Sequence, residues 1–226
     1  MAIPMAPMAL PAADDDNGRQ VTTHHIMDTH VRVKALPMVY MNDQVSMESS
    51  IQTMEQFLTE DKYQVVGFDL EYTIGRVGHD QKVAVAQLCM RHDFLVYHYH
   101  LATRPCEHFS RFINSSNYSF AMVDTTNDLK ALKVSGLKCP NLVNIQHHYK
   151  VWGSDKNKLN SLVDLASAIV DPYYMNMKNE SKKDKNAWHS VRHERLDEQH
   201  VKYPAKDAYT SDEMYRRIID MRKCLL

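Results

Sequence analysis

The stretch YQVVGFDLEYTI, residues 63–74, decides the fold. Val65, Val66, Phe68 and Leu70 make it a strand buried on both faces. Two acids interrupt it. Asp69 and Glu71 stand two apart, and the period-2 alternation of a strand points both carboxylates to the same face. Like charges so placed repel and raise each other's pKa unless a divalent cation neutralises them or the strand end opens to water. The spacing alone leaves both readings open.

The rest of the chain arranges itself around this strand. KVAVAQLCM (82–90) and DFLVYHYHL (93–101) follow at hairpin distance, which predicts three consecutive antiparallel strands. Upstream, residues 24–40 read as one or two strands, MNDQ as a turn and MESSIQTMEQFLTED (47–61) as an amphipathic helix. Downstream, Pro105 opens a helix through Phe112. YSFAMVD (118–124) is a strand feeding into the helix NDLKALKVSG, where Gly136 fits the C-terminal cap. NLVNIQHHY (141–149) reads as a further strand, NKLNSLVDLASAIV (157–170) as an apolar-faced helix and residues 196–224 as the last helix. Strands first and strands alternating with helices afterwards predict an α/β domain with a mixed five- to six-stranded sheet flanked by helices.

The 226 residues, 44% of them hydrophobic, suffice for one compact domain and a tail. Lys plus Arg is 27 against 28 for Asp plus Glu, so any contact with a polyanion has to come from a local patch. Cys89, Cys106, Cys139 and Cys224 form no CxxC pair and read as free thiols of a reducing compartment, nucleus or cytoplasm. The opening MAIPMAPMALPAADDDNGRQ lacks a basic start, is broken by prolines and carries Asp14, Asp15 and Asp16. Residues 1–22 are therefore expected to be a disordered leader, and 23–226 the domain. No stretch approaches the ~20 apolar residues of a membrane span.

Several further groups draw notice. Asp128 opens the helix after the strand 118–124, where an acid either caps the helix or, with Thr126 and Asn127 available as caps, faces the strand end. In HVKYPAKDAY, Tyr203 and Asp207 stand at i, i+4, with Pro204 between them. Proline inside a helix removes an amide and crowds the carbonyl four residues back, at about 3 kcal/mol. A break between His200 and Pro204 is therefore expected, with LDEQH and AKDAYTSDEMYRRI as separate helices. His98 with His100, on one strand face, and His189 with His193, at i, i+4, resemble zinc pairs but lack a third ligand. NMKNESKKDKNAWHSVRHER (176–195) is the one clear charge shift.

FDLEY, a strand followed by NDLKAL, and YPAKDAY together resemble the three motifs of the DEDDy 3′-5′ exonucleases, whose members include ribonuclease D and the Werner-type enzymes. With KVAVAQLC after the first motif and Trp188 before the third, the chain is most similar to small plant Werner-like exonucleases. The resemblance implies a ribonuclease H-like fold and hydrolysis of terminal phosphodiesters of RNA or DNA to nucleoside 5′-monophosphates. It also implies two Mg²⁺ or Mn²⁺ ions held by Asp69, Glu71, Asp128 and Asp207, with Tyr203 orienting the attacking water. Lys182, Lys183, Lys185, Trp188 and Arg192 would bind a single-stranded or 3′-overhanging nucleic acid. The sequence departs from the family at Tyr72, where tryptophan is usual, at Pro204, where alanine is usual, and at FAMVDTTND, usually glycine-rich. A module that binds without turnover is the alternative.

Overall fold

The computed structural model describes residues 20–26, 34–73, 80–91, 93–102, 104–176, 196 and 198–224; side chains at 20–26, 34–36 and 198–204 are not described. The expected leader, the lysine-rich segment with Lys182, Lys183, Lys185, Trp188 and Arg192, and His189 and His193 lie outside the described residues, apart from the strand backbone at 20–22.

Among the described residues, seven strands form one mixed sheet in the order β1-β2-β5-β4-β3-β6-β7. They are β1 (Gln20–Ile26), β2 (Lys34–Met41), β3 (Val65–Tyr72), β4 (Val83–Met90), β5 (Asp93–Tyr97), β6 (Ser119–Met122) and β7 (Leu142–Asn144). β3, β4 and β5 are consecutive and antiparallel, as their spacing predicts; β6 runs parallel to β3, and β7 parallel to β6. A mixed sheet flanked by helices is the expected architecture, and the 20–41 hairpin brings the count to seven. The segment 141–149 yields only three strand residues. Asn144 caps a 3₁₀ turn at Ile145–His147 through a bond to the Gln146 amide, which ends the strand early.

Among the described residues the helices are α1 (Gln44–Glu60), α2 (Glu107–Ile113), α3 (Thr126–Val134), α4 (Leu162–Ile169) and α5 (Glu198–Lys223). Asp43 caps α1, and Ser161 with Asp164 forms a capping box on α4. Gly136, at φ 73°, follows the end of α3, where Leu137 N–H returns to the Leu132 carbonyl.

The sheet buries both faces. Val66, Phe68 and Leu70 of β3 face α1, α2 and α3 among Met47, Ile51, Phe109, Phe120 and Leu132. Val65 faces the other way, toward α4 and α5, with Leu165, Ala205, Ala208, Tyr209 and Met214. Alternation then carries Gly67, Asp69 and Glu71 onto the α5 face. At Gly67 the helix backbone lies directly on the strand: a Cβ there would sit 2.0 Å from the Ala208 carbonyl oxygen and 2.6 Å from the Asp212 amide nitrogen. Only glycine permits this approach.

Buried charges fasten α5 at the other end of β3. Arg216 donates to Asp212 at 2.9 Å and 3.0 Å, to Asp61 at 2.9 Å and to the Val65 carbonyl at 3.3 Å. Arg91 adds a 2.9 Å bond from its guanidinium to Asp61 and another from its amide to Asp212. Burial pushes Asp61 up, but the Arg216 and Arg91 bonds outweigh it and hold the carboxyl below its ordinary value.

The helix break expected at Pro204 does not occur: α5 runs unbroken from Glu198 to Lys223. The anchored segment from Ala205 to Ile218 supplies the nucleus that an isolated helix would have to form at a cost. Extending it backward through the proline is propagation that forfeits one ladder bond. Tyr203 and Asp207 therefore share one helix, not two.

Candidate active site

Three elements converge at the carboxyl end of β3. The strand supplies Asp69 and Glu71, both half-buried, while the buried Asp128 lies in the first turn of α3 and the buried Asp207 on α5. The register between β3 and β4 shifts between Glu71 and Tyr72, a bulge of the kind found beside active sites, where it re-aims side chains. β6 turns into α3 through Asp124, at φ 59°, a left-handed conformation that Asp tolerates better than most residues. That is where the family's usual glycine richness is replaced in this chain.

The four carboxylates feel one another. Asp69 is pushed well above the ordinary carboxylate range, first by burial, then by the charges of Asp207, Glu71 and Asp128. Glu71 rises to about 8 through burial and the charges of Asp207 and Asp128. Asp128 rises to about 6 by burial, moderated by the Tyr72 hydroxyl, which donates to its Oδ1. Neither Asp69 nor Glu71 has a basic side chain among the main influences on it. An all-oxygen, anionic donor set of this kind suits hard cations such as Mg²⁺ or Mn²⁺. Among the described residues, no three His, Cys, Asp or Glu side chains converge closely enough to hold one ion as they stand, so gripping an ion requires side-chain rotation.

Other sequence candidates fall elsewhere. His98 and His100 do not share a strand face: β5 ends at Tyr97, and His100 sits in a 3₁₀ turn, Tyr99–Leu101. His98 is buried with its Nδ1 2.9 Å from the Tyr40 hydroxyl, and burial, with His100 nearby, lowers its pKa to about 4. Tyr203 lies one turn before Asp207 by its backbone. Tyr72, noted in the sequence only as a departure from the family pattern, and Gly67, not singled out there, both contribute to the site's geometry. An isolated glycine within an apolar strand was the available signal for close backbone approach. Nothing local announced the Tyr72 contact, which spans 56 positions.

A profile of the 3′-5′ exonucleases matches residues 44–221, most of the chain. The chain belongs to the 3′-5′ exonuclease family. No curated protein sequence matches it. Among solved structures, the catalytic core of RRP6 from Trypanosoma brucei is 15% identical, with a TM-score of 0.61 over 82% of this chain and 48% of that one. Escherichia coli RNase D is 14% identical, with a TM-score of 0.62 over 82% of this chain and 45% of that one. Trypanosoma brucei RNase D in complex with RNA U12 is 11% identical, with a TM-score of 0.55 over 76% and 60%. These likenesses concern the fold, which is the mixed sheet and flanking helices of the ribonuclease H-like exonucleases. This chain spans less than two thirds of each of those chains.

Proposed function

We propose that this protein removes nucleotides from the 3′ end of a nucleic-acid strand, hydrolysing the terminal phosphodiester of RNA or DNA to release a nucleoside 5′-monophosphate. The observation that carries the reading is the set of four mutually repelling carboxylates at one strand end, in a chain of the 3′-5′ exonuclease family. Exonucleases of this family typically use two metal ions. Asp69, Glu71, Asp128 and Asp207 would hold two Mg²⁺ or Mn²⁺ ions here. Held by these residues, such ions would supply a lowered pKa for the attacking water and charge stabilisation for the departing 3′ oxygen.

The chain's own groups divide the remaining work. Asp69 and Glu71, fixed on the central strand, give the site a rigid base. Asp128 is oriented by the Tyr72 hydroxyl, which donates to its Oδ1. Tyr203, one helical turn before Asp207, positions the attacking water with its phenol; an ordinary pKa of about 10 suits it to positioning before proton removal. Lys182, Lys183, Lys185, Trp188 and Arg192 are assigned to the strand, single or 3′-overhanging, in keeping with the RNA held by the trypanosomal RNase D. Within the family, the motifs favour the small Werner-like enzymes as the nearest kind.

A second reading, a module that binds without turnover, is favoured by the Tyr72 bond that already occupies one Asp128 oxygen. One assay separates the two. The full chain is incubated with 5′-labelled single-stranded RNA and with DNA, in Mg²⁺, in Mn²⁺ and in chelator. Stepwise shortening in metal alone, with 5′-monophosphates as product, is expected. A strand that is bound but stays full length in both metals overturns the hydrolase in favour of the module.

A further inference from the structure

We infer that a second phosphate-binding region lies beside the four acids, in the cleft between α3 and the base of the β3–β4 hairpin, and that it carries the strand's internal phosphates. The inference rests on the hydrolase reading for where the strand's end sits. The cleft has a volume of about 590 Å³, within the ~300–1,000 Å³ of ligand sites. Asn127, Lys130 and Lys133 of α3 form one wall; Tyr72, Asp80 and Gln81 form the other.

Three observations point to phosphate. The first is continuity. Tyr72 lines the cleft while its hydroxyl bonds Asp128, so the cleft adjoins one of the four acids through this side chain. Asn127 is the chain neighbour of Asp128, which brings the wall of the cleft to the acids as well.

The second is direction. Asn127, Lys130 and Lys133 are spaced by three and follow one side of the helix away from Asp128. They cover about 9 Å at 1.5 Å per residue. A strand rises by at least about 3.4 Å per nucleotide even when stacked. A strand whose terminal phosphodiester lies at the acids thus meets the two ammonium groups with the next phosphates along its length.

The third is charge. Lys130 and Lys133 are exposed, and among the described residues Asp80 is the one acid on the walls, so these residues make the cleft net positive while the neighbouring site is strongly negative. That alternation suits a strand: phosphates are drawn to the lysines, and the repelling acid end admits one only with divalent cations. The Tyr72 ring and the aliphatic lysine stems offer apolar surface to a sugar or base.

The phosphates could come from an intact strand or from the released 5′-monophosphate, and the test separates them. A short 5′-fluorescein-labelled oligouridylate is titrated with the full chain in EDTA, so that no turnover occurs, over a series of potassium chloride concentrations. The variants are Lys130→Ala/Lys133→Ala and, as a control, Lys62→Ala, an exposed lysine paired with Asp220 before the start of β3. The cleft variant should bind more weakly, with a plot of log affinity against log salt shallower by about 1.4, at about 0.7 per lost contact. Lys62→Ala should match the wild type. Parallel salt lines for wild type and the cleft variant overturn the inference. So does a variant that loses only competition by uridine 5′-monophosphate, since the cleft would then hold product. A wild type that binds with the expected slope yet never cleaves in Mn²⁺ sinks the hydrolase and leaves the cleft standing.

Discussion

Replacing Gly67 by alanine tests whether the packing of α5 on β3 sets the geometry of the acids. The new Cβ would lie 2.0 Å from the Ala208 carbonyl oxygen and 2.6 Å from the Asp212 amide nitrogen, both backbone atoms that cannot swing aside. Real Cβ contacts essentially never fall below 3.0 Å, so strand and helix must separate by at least the difference, 1.0 Å. Asp69 is two residues from Gly67 on the same strand face, and Asp207 is the chain neighbour of Ala208, so their carboxylates part by a similar amount. Metal–ligand distances tolerate about 0.2 Å, and a 1 Å misplacement costs on the order of 10²-fold in rate. Overpacking should also cost about 1–3 kcal/mol, or several degrees of melting temperature in a chain of this size. The assay pairs thermal unfolding with Mn²⁺ calorimetry and cleavage of a labelled strand. A Gly67→Ala protein with wild-type melting, Mn²⁺ affinity and rate would refute the reasoning.

Glu71→Gln should show how the acids load the fold. Glu71 has an ordinary pKa of 4.5 and is raised to about 8 in the folded chain. The folded carboxyl therefore keeps its proton through a window where the unfolded chain gives it up, and stability falls as pH rises from 4.5 to about 8. In chelator, the variant should match the wild type near the bottom of that window and out-melt it increasingly toward the top; a constant difference across melting curves would contradict the shift. Tyr72→Phe removes the donor to Asp128 and should lower kcat/KM about tenfold or more, the worth of a hydrogen bond to a charged group. Rates equal to wild type would show that the bond positions nothing. Pro204→Ala restores the missing ladder bond in an unbroken helix and should raise stability by up to about 3 kcal/mol in denaturant titration; a destabilised variant would mean the ring itself is packed usefully.

What could be read from the sequence was what short-range periodicity encodes. The alternation around Phe68 places Asp69 and Glu71 on one face, and the spacing of KVAVAQLCM and DFLVYHYHL gives the antiparallel β3–β4–β5 run. Asp128 is left open by its position at the strand–helix junction, as a cap or as an acid facing the strand end, and joins the set through the resemblance of NDLKAL to the exonuclease motifs. Pro204 misled because its local cost is real, whereas the anchoring of Ala205–Ile218 that offsets it is tertiary. The 3₁₀ turn at Ile145–His147 was hidden in an apolar run that suits a strand equally well. The Tyr72–Asp128 bond and the Arg216–Asp61 clamp join residues 56 and 155 positions apart, beyond the reach of any local pattern.

The order in which the acids occur along the chain has a consequence for synthesis. Asp69 and Glu71 lie on β3, inside the sheet, while Asp207 belongs to α5, the last of the described helices, and is made 136 residues after Glu71 (207 − 71). At about 5–20 residues per second, the early acids wait roughly 7–27 s for their partner. During that wait they lack the Asp207 charge and the cover of α5, so they stay closer to ordinary solvated carboxylates. Docking of α5 is then the step at which the chain must take up protons or cations, and the four acids cannot come together until that helix has left the ribosome.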